Sequence, residues 1–378
     1  MPTRRTFLST AAFAAAASTL GTPASGAPAA ADEEANRAIG PAGGALPMNE
    51  SSDSGHYRPP FRIGLGGVAI GTAFAPLTGR QSDQVMQAAW DSGVRYFDTS
   101  PWYGLGVSER RMAHFLADQP RNEYVISTKI GRILTPAEKA PETMWKAPSP
   151  FDFHIDYTAE GTRRSVEESL HRMGLSRLDI VFIHDLSPDY FGDKWTEHFE
   201  TAAKGAMPEL TRMRDEGIIK AWGFGVNTIE PCLRALEVAD PDLFLLATQY
   251  SVVDHEDALN RLFPKCDEQG VSIVVGAPLN SGYLAGKERY NYQPKVPPKI
   301  REKGERISAI AREHGVDLRT VALQFCSAPK VVSSVIPGAS TGEQVIENVL
   351  SVVTQTPTEL WEQLKRERLI AENAPVPV

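Results

Sequence analysis

Cysteine is scarce in this chain, three in 378 residues. Cys232, Cys266 and Cys326 fall in three separate helix-like segments with neither CxxC nor Cys/His metal spacing, so a disulfide framework and a zinc site both lose their usual sequence basis. Such thiols are expected to sit in the core, where a free cysteine packs as a small apolar residue. No other ligand cluster suggests a metal. Positive charge is in deficit as well: the formal net charge is −8, which argues against nucleic acid as a partner. The alanine-rich run near the N-terminus is too short to span a bilayer. A dinucleotide fingerprint lacks its second half. GLGGVA, Gly64 to Ala69, fits G-x-G-x-x-G/A, but the chain continues VAIGTAFAPLT with Pro76 and no helical period until about Ser82. A Rossmann site needs a helix to begin at that loop so that its N-terminus meets the pyrophosphate. These glycines are therefore expected to serve close packing or strand ends.

The first 31 residues carry paired Arg4 and Arg5, then Phe7-Leu8, an alanine-rich run and small residues suited to signal-peptidase cleavage near Ala29 to Ala31. The pattern resembles a twin-arginine export signal. It implies the twin-arginine translocase as a partner during export, a periplasmic or otherwise exported mature protein, and no stable membrane insertion after cleavage. Losing Arg4 and Arg5 takes the net charge to about −10. Residues 32–56 are rich in Gly, Pro, Ser and acids without apolar periodicity, and are expected to form a flexible linker or arm. Residues 57–378 are long enough for a substantial core.

Along that stretch, short apolar runs alternate with amphipathic helical segments. The strand candidates are RIGLGGVAIG (62–71), RYFDTS (95–100), EYVISTKIG (123–131), LDIVFIHD (178–185), IKAWGFGV (219–226), LFLLATQYS (243–251), SIVVGAPL (272–279) and VSSVIPGA (332–339). Between them lie helical patterns such as SDQVMQAAWDSG and AEGTRRSVEESLHRMG, several closing on a glycine suited to a left-handed C-terminus. Near-continuous apolar strands joined by helices indicate a parallel sheet covered on its outer side, and eight such units predict a single-domain (β/α)8 TIM barrel of the α/β class. A doubly wound sheet is the main competitor.

In such a barrel, chemistry belongs at the C-terminal ends of strands. Those ends offer Asp98 after the second strand, with Tyr103 in the loop beyond, Lys129 near the end of the third, and His184 at the end of the fourth. Singly, each has an ordinary explanation as a cap, a packed loop residue, a rim charge or a hydrogen-bonded imidazole. Together, on consecutive strands and one face, the ordinary readings would have to hold independently.

The set Asp98-Thr-Ser-Pro-Trp-Tyr103-Gly104, SerThrLys129 and IleHis184Asp185, with VIPGASTGEQVIEN near the end, resembles the aldo-keto reductase superfamily from about Arg62 to Val353. SPWYG, YTAEGTRRSVEESLHRMG and GFGVN look most like its branch of L-fucose or D-threo-aldose 1-dehydrogenases and pyridoxal 4-dehydrogenase. The resemblance implies hydride transfer between a nicotinamide cofactor and an aldose, or an aldehyde or alcohol such as pyridoxal. Asp98, Tyr103, Lys129 and His184 would be its catalytic residues. A free phenol is a poor acid or base at neutral pH, and an ammonium beside it would favour the phenolate; Lys129 is expected to do this for Tyr103, with Asp98 as counter-charge. His184 would hold the reacting oxygen.

For the cofactor, the resemblance implies Gln249 and Asn227 at the carboxamide, Leu279 to Gly282 along the pyrophosphate, and Gly338, Ala339, Ser340, Gln344, Glu347 and Asn348 around the adenosine. Two positions depart from the family pattern. The usual Ser-Asn pair falls on Gly225 and Val226, leaving Asn227 displaced by one, and the stacking aromatic falls on Gly276. NAD is expected over NADP, because the positions where phosphate-binding relatives carry basic residues are Gly338 and Gln344, and a 2′-phosphate wants cationic partners. The long connection after the third strand holds Trp145, Phe151, Phe153 and Tyr157; with Trp102, the set Trp145, Phe151 and Tyr157 is expected to wall a sugar or a flat aldehyde. Two other classes stay open. A glycoside hydrolase would need a second strand-end carboxylate facing Asp98, and a non-catalytic cofactor-binding member could use the same fold as a partner or regulatory protein.

Overall fold

Runs of β-branched and apolar residues become parallel strands where both faces can be covered. The computed structural model, which describes residues 46–50 and 55–377, arranges eight such strands in one sheet. In chain order the elements are β1 (Leu65–Gly66), α1 (Gly79–Asp91), β2 (Tyr96–Asp98), α2 (Val107–Leu116), β3 (Val125–Ile130), β4 (Arg132–Pro136), β5 (Phe151–Ile155), α3 (Ala159–Met173) and β6 (Ile180–His184). There follow α4 (Pro188–Phe191), α5 (Trp195–Lys204), α6 (Ala206–Asp215), β7 (Ala221–Val226), α7 (Glu230–Val238), β8 (Leu243–Ala247), α8 (Phe263–Gln269) and β9 (Ser272–Gly276). The last are α9 (Pro298–Glu313), α10 (Leu318–Ser327), β10 (Val332–Ile336), α11 (Gly342–Val353) and α12 (Thr358–Arg366).

The sheet runs β1-β2-β3-β6-β7-β8-β9-β10. Parallel bridges from Ile63 to Val335 and from Gly66 to Gly338 bring its two edges together, with Gly64 N donating to Val335 O at 3.0 Å and Gly66 N to Pro337 O at 3.1 Å. A sheet joined edge to edge with helices outside is the (β/α)8 barrel that the alternating pattern predicts. The eight candidate strands all appear, shorter than their apolar runs. GLGGVA contributes strand edge and tight packing: a side chain at Gly66 would meet Ile336 O at 2.8 Å, and one at Gly67 would meet Asp98 O at 2.5 Å.

Strand parity decides what faces the barrel axis. Tyr96, Val125, Ile180, Phe182, Ala221, Leu243, Leu245 and Val274 form the inner apolar cluster, while Phe97, Ile126, Val181, Ile183 and Phe224 belong to the outer core beneath the helices. Two residues beyond Tyr96 on the same face comes Asp98, and two beyond Phe182 comes His184. The helices are anchored by caps that their sequences announce: Thr78 forms a capping box with Gln81 at the start of α1, Thr158 caps α3, and Gly174 closes it at φ +64°.

Two features differ from expectation. The connection after β3 is not structureless, because β4 and β5 pair antiparallel from Arg132↔Ile155 to Pro136↔Phe151 as a hairpin above the barrel mouth. The expected export signal and most of the expected linker lie outside the described residues. The described part of that linker, however, is docked: Met48 bridges Phe61, and the Asn49 side-chain amide donates to Pro59 O and Ser333 O, both at 2.7 Å. Tyr57 and Phe61 pack against the inner cluster. Too short to show periodicity, the segment is held by a side chain satisfying barrel carbonyls. Cys232, Cys266 and Cys326 are free and buried. Among the described residues, no helix is long and apolar enough to cross a membrane.

Candidate active site

Parallel register places the strand-end residues side by side. Asp98 is level with Ser127, and Lys129 lies two residues further along β3, on the same face. The Lys129 ammonium donates to Asp98 Oδ1 at 2.9 Å, to Oδ2 at 2.8 Å and to Thr99 O at 2.7 Å, which uses its three hydrogens. Ser127 Oγ adds a 2.7 Å bond to Asp98 Oδ1. A long cationic stem inside a barrel needs room. Gly225 on β7 provides it: a side chain there would press on Phe182 Cβ at 3.2 Å and Lys129 Cε at 3.4 Å. The position that departs from the family pattern thus has a packing reason.

Tyr103 arrives from a tight loop between β2 and α2. Gly104 takes φ +68°, and a Cβ there would lie 2.6 Å from Gly71 O, so only glycine fits. The turn presses Tyr103 between Ala73 and Trp145, 8 % exposed, with Lys129 Nζ 4.5 Å from its ring centre and the His184 ring centre at 5.8 Å. The four strand-end and loop residues therefore converge on one place at the C-terminal mouth.

Their electrostatics differ in one respect from the sequence expectation. Burial pushes the Asp98 carboxyl up and the Lys129 amine down, toward neutrality, and the partner's charge and hydrogen bonds oppose this in each case. The Tyr103 phenol is pushed well above its usual value, first by burial, then by the Asp98 carboxylate, with Tyr292 and the Asp185 carboxylate adding to it and the Arg132 cation opposing. Tyr103 consequently stands as a protonated hydrogen donor. His184 is held well below its ordinary value by burial, then by the cations Arg132 and Lys129, so it is neutral at physiological pH.

Arg132, the first residue of β4, was not identified from sequence. It is 2 % exposed, with Nη2 donating to Asp185 Oδ2 at 2.8 Å and Nη1 to His184 Nδ1 at 3.3 Å. Its guanidinium carbon lies 4.6 Å from the ring centres of both Trp102 and Tyr190. The available signal was a lone arginine two residues past the end of an apolar strand, in a position that reads equally well as solvated loop. Ser100 Oγ also approaches His184 Nδ1 at 3.2 Å, and Tyr157 Oη donates to His184 O at 2.7 Å.

The expected substrate residues divide. Trp102 stands edge-on to Trp145 at 5.6 Å and to Phe153 at 5.0 Å, an aromatic wall beside Tyr103. Phe151 does not join it; it pairs with Pro136 at the far end of the β4/β5 hairpin. Phe153, two residues on and on the same face of β5, takes that place. Tyr157 is buried and braces the His184 backbone instead of walling the mouth.

A cavity of about 580 Å³ opens from this point toward β10 and α11. Asp98 and Tyr103 line one end; Leu279, Gly282, Gly338, Ala339, Ser340, Gln344, Glu347 and Asn348 line the rest. Asn227 and Gln249 are not among its lining residues, and Asn227 donates to Asp189 Oδ2 at 3.1 Å. Gln344 is used locally, its carbonyl accepting from Ser340 N at 2.9 Å, and Glu347 is paired with Arg319. The cavity suits an extended dinucleotide. Its floor is glycine at Gly66, Gly276 and Gly338, Lys287 and Arg289 line its side, and the start of α11, at Thr341, Glu343 and Gln344, lines that end. Phe74 and Tyr292, stacked at 6.5 Å, add aromatic surface where Gly276 has none. Among the described residues, no cluster of His, Cys, Asp and Glu could hold a metal ion.

The aldo/keto reductase family profile matches residues 62–367. The D-threo-aldose 1-dehydrogenase of a Pseudomonas species is 36% identical over 322 residues, 82% of this chain and 94% of that protein. Pyridoxal 4-dehydrogenase of Microbacterium luteolum is 34% identical over 326 residues, 82% of this chain and 94% of that protein. Among solved structures, a glycerol dehydrogenase of Gluconobacter oxydans aligns with TM-score 0.63 at 22% identity, covering 86% of this chain and 98% of that one. That likeness bears on the fold alone.

Proposed function

The chain belongs to the aldo/keto reductase family, and from that premise we propose that it is an NAD-linked aldose 1-dehydrogenase, oxidising the anomeric carbon of a sugar to a lactone. The observation that carries this reading is the convergence of Tyr103, His184 and the buried Asp98–Lys129 pair beside a dinucleotide-shaped cavity. The nicotinamide supplies the hydride acceptor when bound. Leu279 to Gly282 and Gly338 to Asn348 would hold the dinucleotide, with the start of α11 facing its charged groups.

In the oxidation, Tyr103 acts from its minor phenolate form, its own proton having first been lost to solvent. The phenolate oxygen takes the substrate hydroxyl's proton as the C1 hydrogen leaves with its electron pair to the nicotinamide that would be bound there. In the reverse direction Tyr103 returns that proton to the carbonyl oxygen. His184 donates a hydrogen bond to the same oxygen, fixing it between the two side chains. The Asp98–Lys129 pair holds the Tyr103 ring in position by its contact with the ring face. The edges of Trp102, Trp145 and Phe153 offer an apolar wall to a sugar ring. A second reading, a flat aldehyde such as pyridoxal, is favoured by the same wall and by the pyridoxal relative.

NAD is the cofactor of this reading because Gly338 and Gln344 stand where phosphate-binding relatives carry basic residues, and Arg319, which lines the same cavity, is already paired with Glu347. The leader-like first 31 residues support a periplasmic or exported enzyme, carried folded by the twin-arginine translocase with its nucleotide aboard. The test of function is a panel of aldoses, pyridoxal and simple alcohols with NAD or NADP, followed at the reduced-nicotinamide absorbance. Turnover of aldoses well above the others supports the proposal. Turnover of simple alcohols alone would refute it, and turnover of pyridoxal alone would select the second reading.

A further inference from the structure

We propose that Arg132 is the positioning residue that holds His184 in a single neutral tautomer, with the proton on Nε2 facing the substrate oxygen. The inference deepens the proposed function and rests on its assignment of His184 to the reacting oxygen. Its own basis is the hydrogen-bond chemistry around the ring.

A guanidinium can only donate. With Arg132 Nη1 at 3.3 Å from His184 Nδ1, that ring nitrogen has to accept, and a neutral imidazole then carries its proton on Nε2. Ser100 Oγ, which accepts from Trp102 N at 3.1 Å, reaches the same Nδ1 at 3.2 Å and is free to donate its own hydrogen there. Protonating Nδ1 would set the guanidinium donor against it. Nε2 lies 3.5 Å from Asp185 Oδ1, too long for a strong bond, so its hydrogen stays available to a substrate oxygen.

Arg132 is itself held rigidly. Asp185 fixes one amino group at 2.8 Å, and the rings of Trp102 and Tyr190 lie 4.6 Å from the guanidinium carbon. Asp185 sits at φ +48°, a left-handed conformation that aspartate tolerates better than most residues, and its carboxylate meets Arg132 immediately after His184. The hydroxyl of Tyr157 pins the His184 carbonyl at 2.7 Å. The charged and titratable groups facing the ring are Arg132 and Asp185 beside it, Lys129 and Tyr103 across the barrel mouth, and Tyr157 and Tyr190 behind Arg132. Of these, Arg132 is the cation in direct contact, so it also opposes protonation of the ring.

The consequence for turnover follows from geometry. The other tautomer would present the Nε2 lone pair to a substrate oxygen, replacing a hydrogen bond with repulsion. Arg132→Met should therefore lower kcat by about tenfold or more, short of the full loss seen when a donor to the reacting oxygen is removed. Cofactor Kd should stay the same, since Arg132 does not line the dinucleotide cavity.

The experiment is nitrogen-15 NMR of the histidine rings, with His184 assigned by its loss in His184→Asn, together with kcat and cofactor titration. Wild type should show His184 as the pure Nε2–H form with no ring titration between about pH 5 and 8. Arg132→Met should show both tautomers and a ring pKa raised by about one unit or more, as expected for loss of a contacting cation. Arg132→Lys, which keeps the charge and one donor, should recover part of both effects. If Arg132→Met fails to fold, Arg132→Met with Asp185→Asn removes the stranded carboxylate and gives the same readout. A pure Nε2–H ring in a variant lacking the guanidinium, or a wild-type ring protonated on Nδ1, overturns the inference. A wild-type protein that turns over no substrate would count against the functional reading, while the ring signals would still decide the role of Arg132.

Discussion

Replacing Lys129 by methionine tests the electrostatic heart of the site. The side chain is 1 % exposed and its Asp98 partner 3 %, and the ammonium spends its three hydrogens on the carboxylate and on Thr99 O. Methionine fills a similar volume but leaves Asp98 with the Ser127 hydroxyl as its remaining side-chain donor. Breaking a buried pair by removing one member costs about 3–5 kcal/mol, because an uncompensated charge stays buried. For a domain of this size each kcal/mol lowers Tm by roughly 2 °C, so a loss of roughly 6–10 °C is expected. The sign with pH follows from the carboxyl. Burial already lifts Asp98 above its unfolded value, and without Lys129 it rises further. Between those two values the folded state binds a proton that the unfolded chain has released, so stability falls as pH rises through the window. The gap to wild type should accordingly narrow in acid. Adding Asp98→Asn removes the stranded charge and should recover about half the loss or more. Thermal unfolding followed by circular dichroism at several pH values reads all three. A single variant within about 2 °C of wild type, or a double variant less stable than the single, would refute the reasoning.

Tyr103→Phe keeps the ring and removes the proton, so turnover should fall by about a hundredfold or more with cofactor Kd little changed; near-normal turnover would remove Tyr103 from its role. Because burial raises the Tyr103 phenol, little phenolate exists at neutral pH, and the oxidation rate of wild type should climb by up to about tenfold per pH unit toward alkaline pH. A flat profile from about pH 6 to 9 would mean that some other group takes the proton. NAD should bind more tightly than NADP, and Glu347→Gln, by freeing Arg319 from its ion pair, should improve NADP binding by about tenfold, or about 1.4 kcal/mol; tenfold tighter NADP binding to wild type would reverse the cofactor assignment. Mature protein purified from a periplasmic fraction and denatured should release near-stoichiometric nucleotide, since bound cofactor stabilises the folded state during export. An empty protein active only with added NAD would show exchange instead.

The barrel and the clustering of most of the candidate site were legible because both follow from local rules. Eight apolar runs separated by helical patterns leave few other arrangements, and period-two alternation puts Asp98 on the same face as Tyr96 and His184 on the same face as Phe182. The residues that escaped notice depend on chain segments distant in sequence. Arg132 reads as a solvated charge until the β4/β5 hairpin folds it against Asp185 and His184, 53 and 52 residues away. Phe151 and Phe153 are interchangeable in the sequence, and only the hairpin register sends one to the Trp102 wall and the other to its far end. Tyr157 looked like part of that wall but is turned inward by a bond to a carbonyl 27 residues on.

The same division holds for charge. Composition alone set the acidity of the chain, the scarcity of thiols and the list of groups able to titrate, since these are sums over residues. Which of those groups carries a proton at neutral pH is not a sum. It depends on distance and burial, and tertiary packing decided it: Lys129 was spent on Asp98, Tyr103 was left protonated by burial beside two carboxylates, and His184 was kept neutral first by burial and then by a guanidinium that only the folded chain brings to its ring.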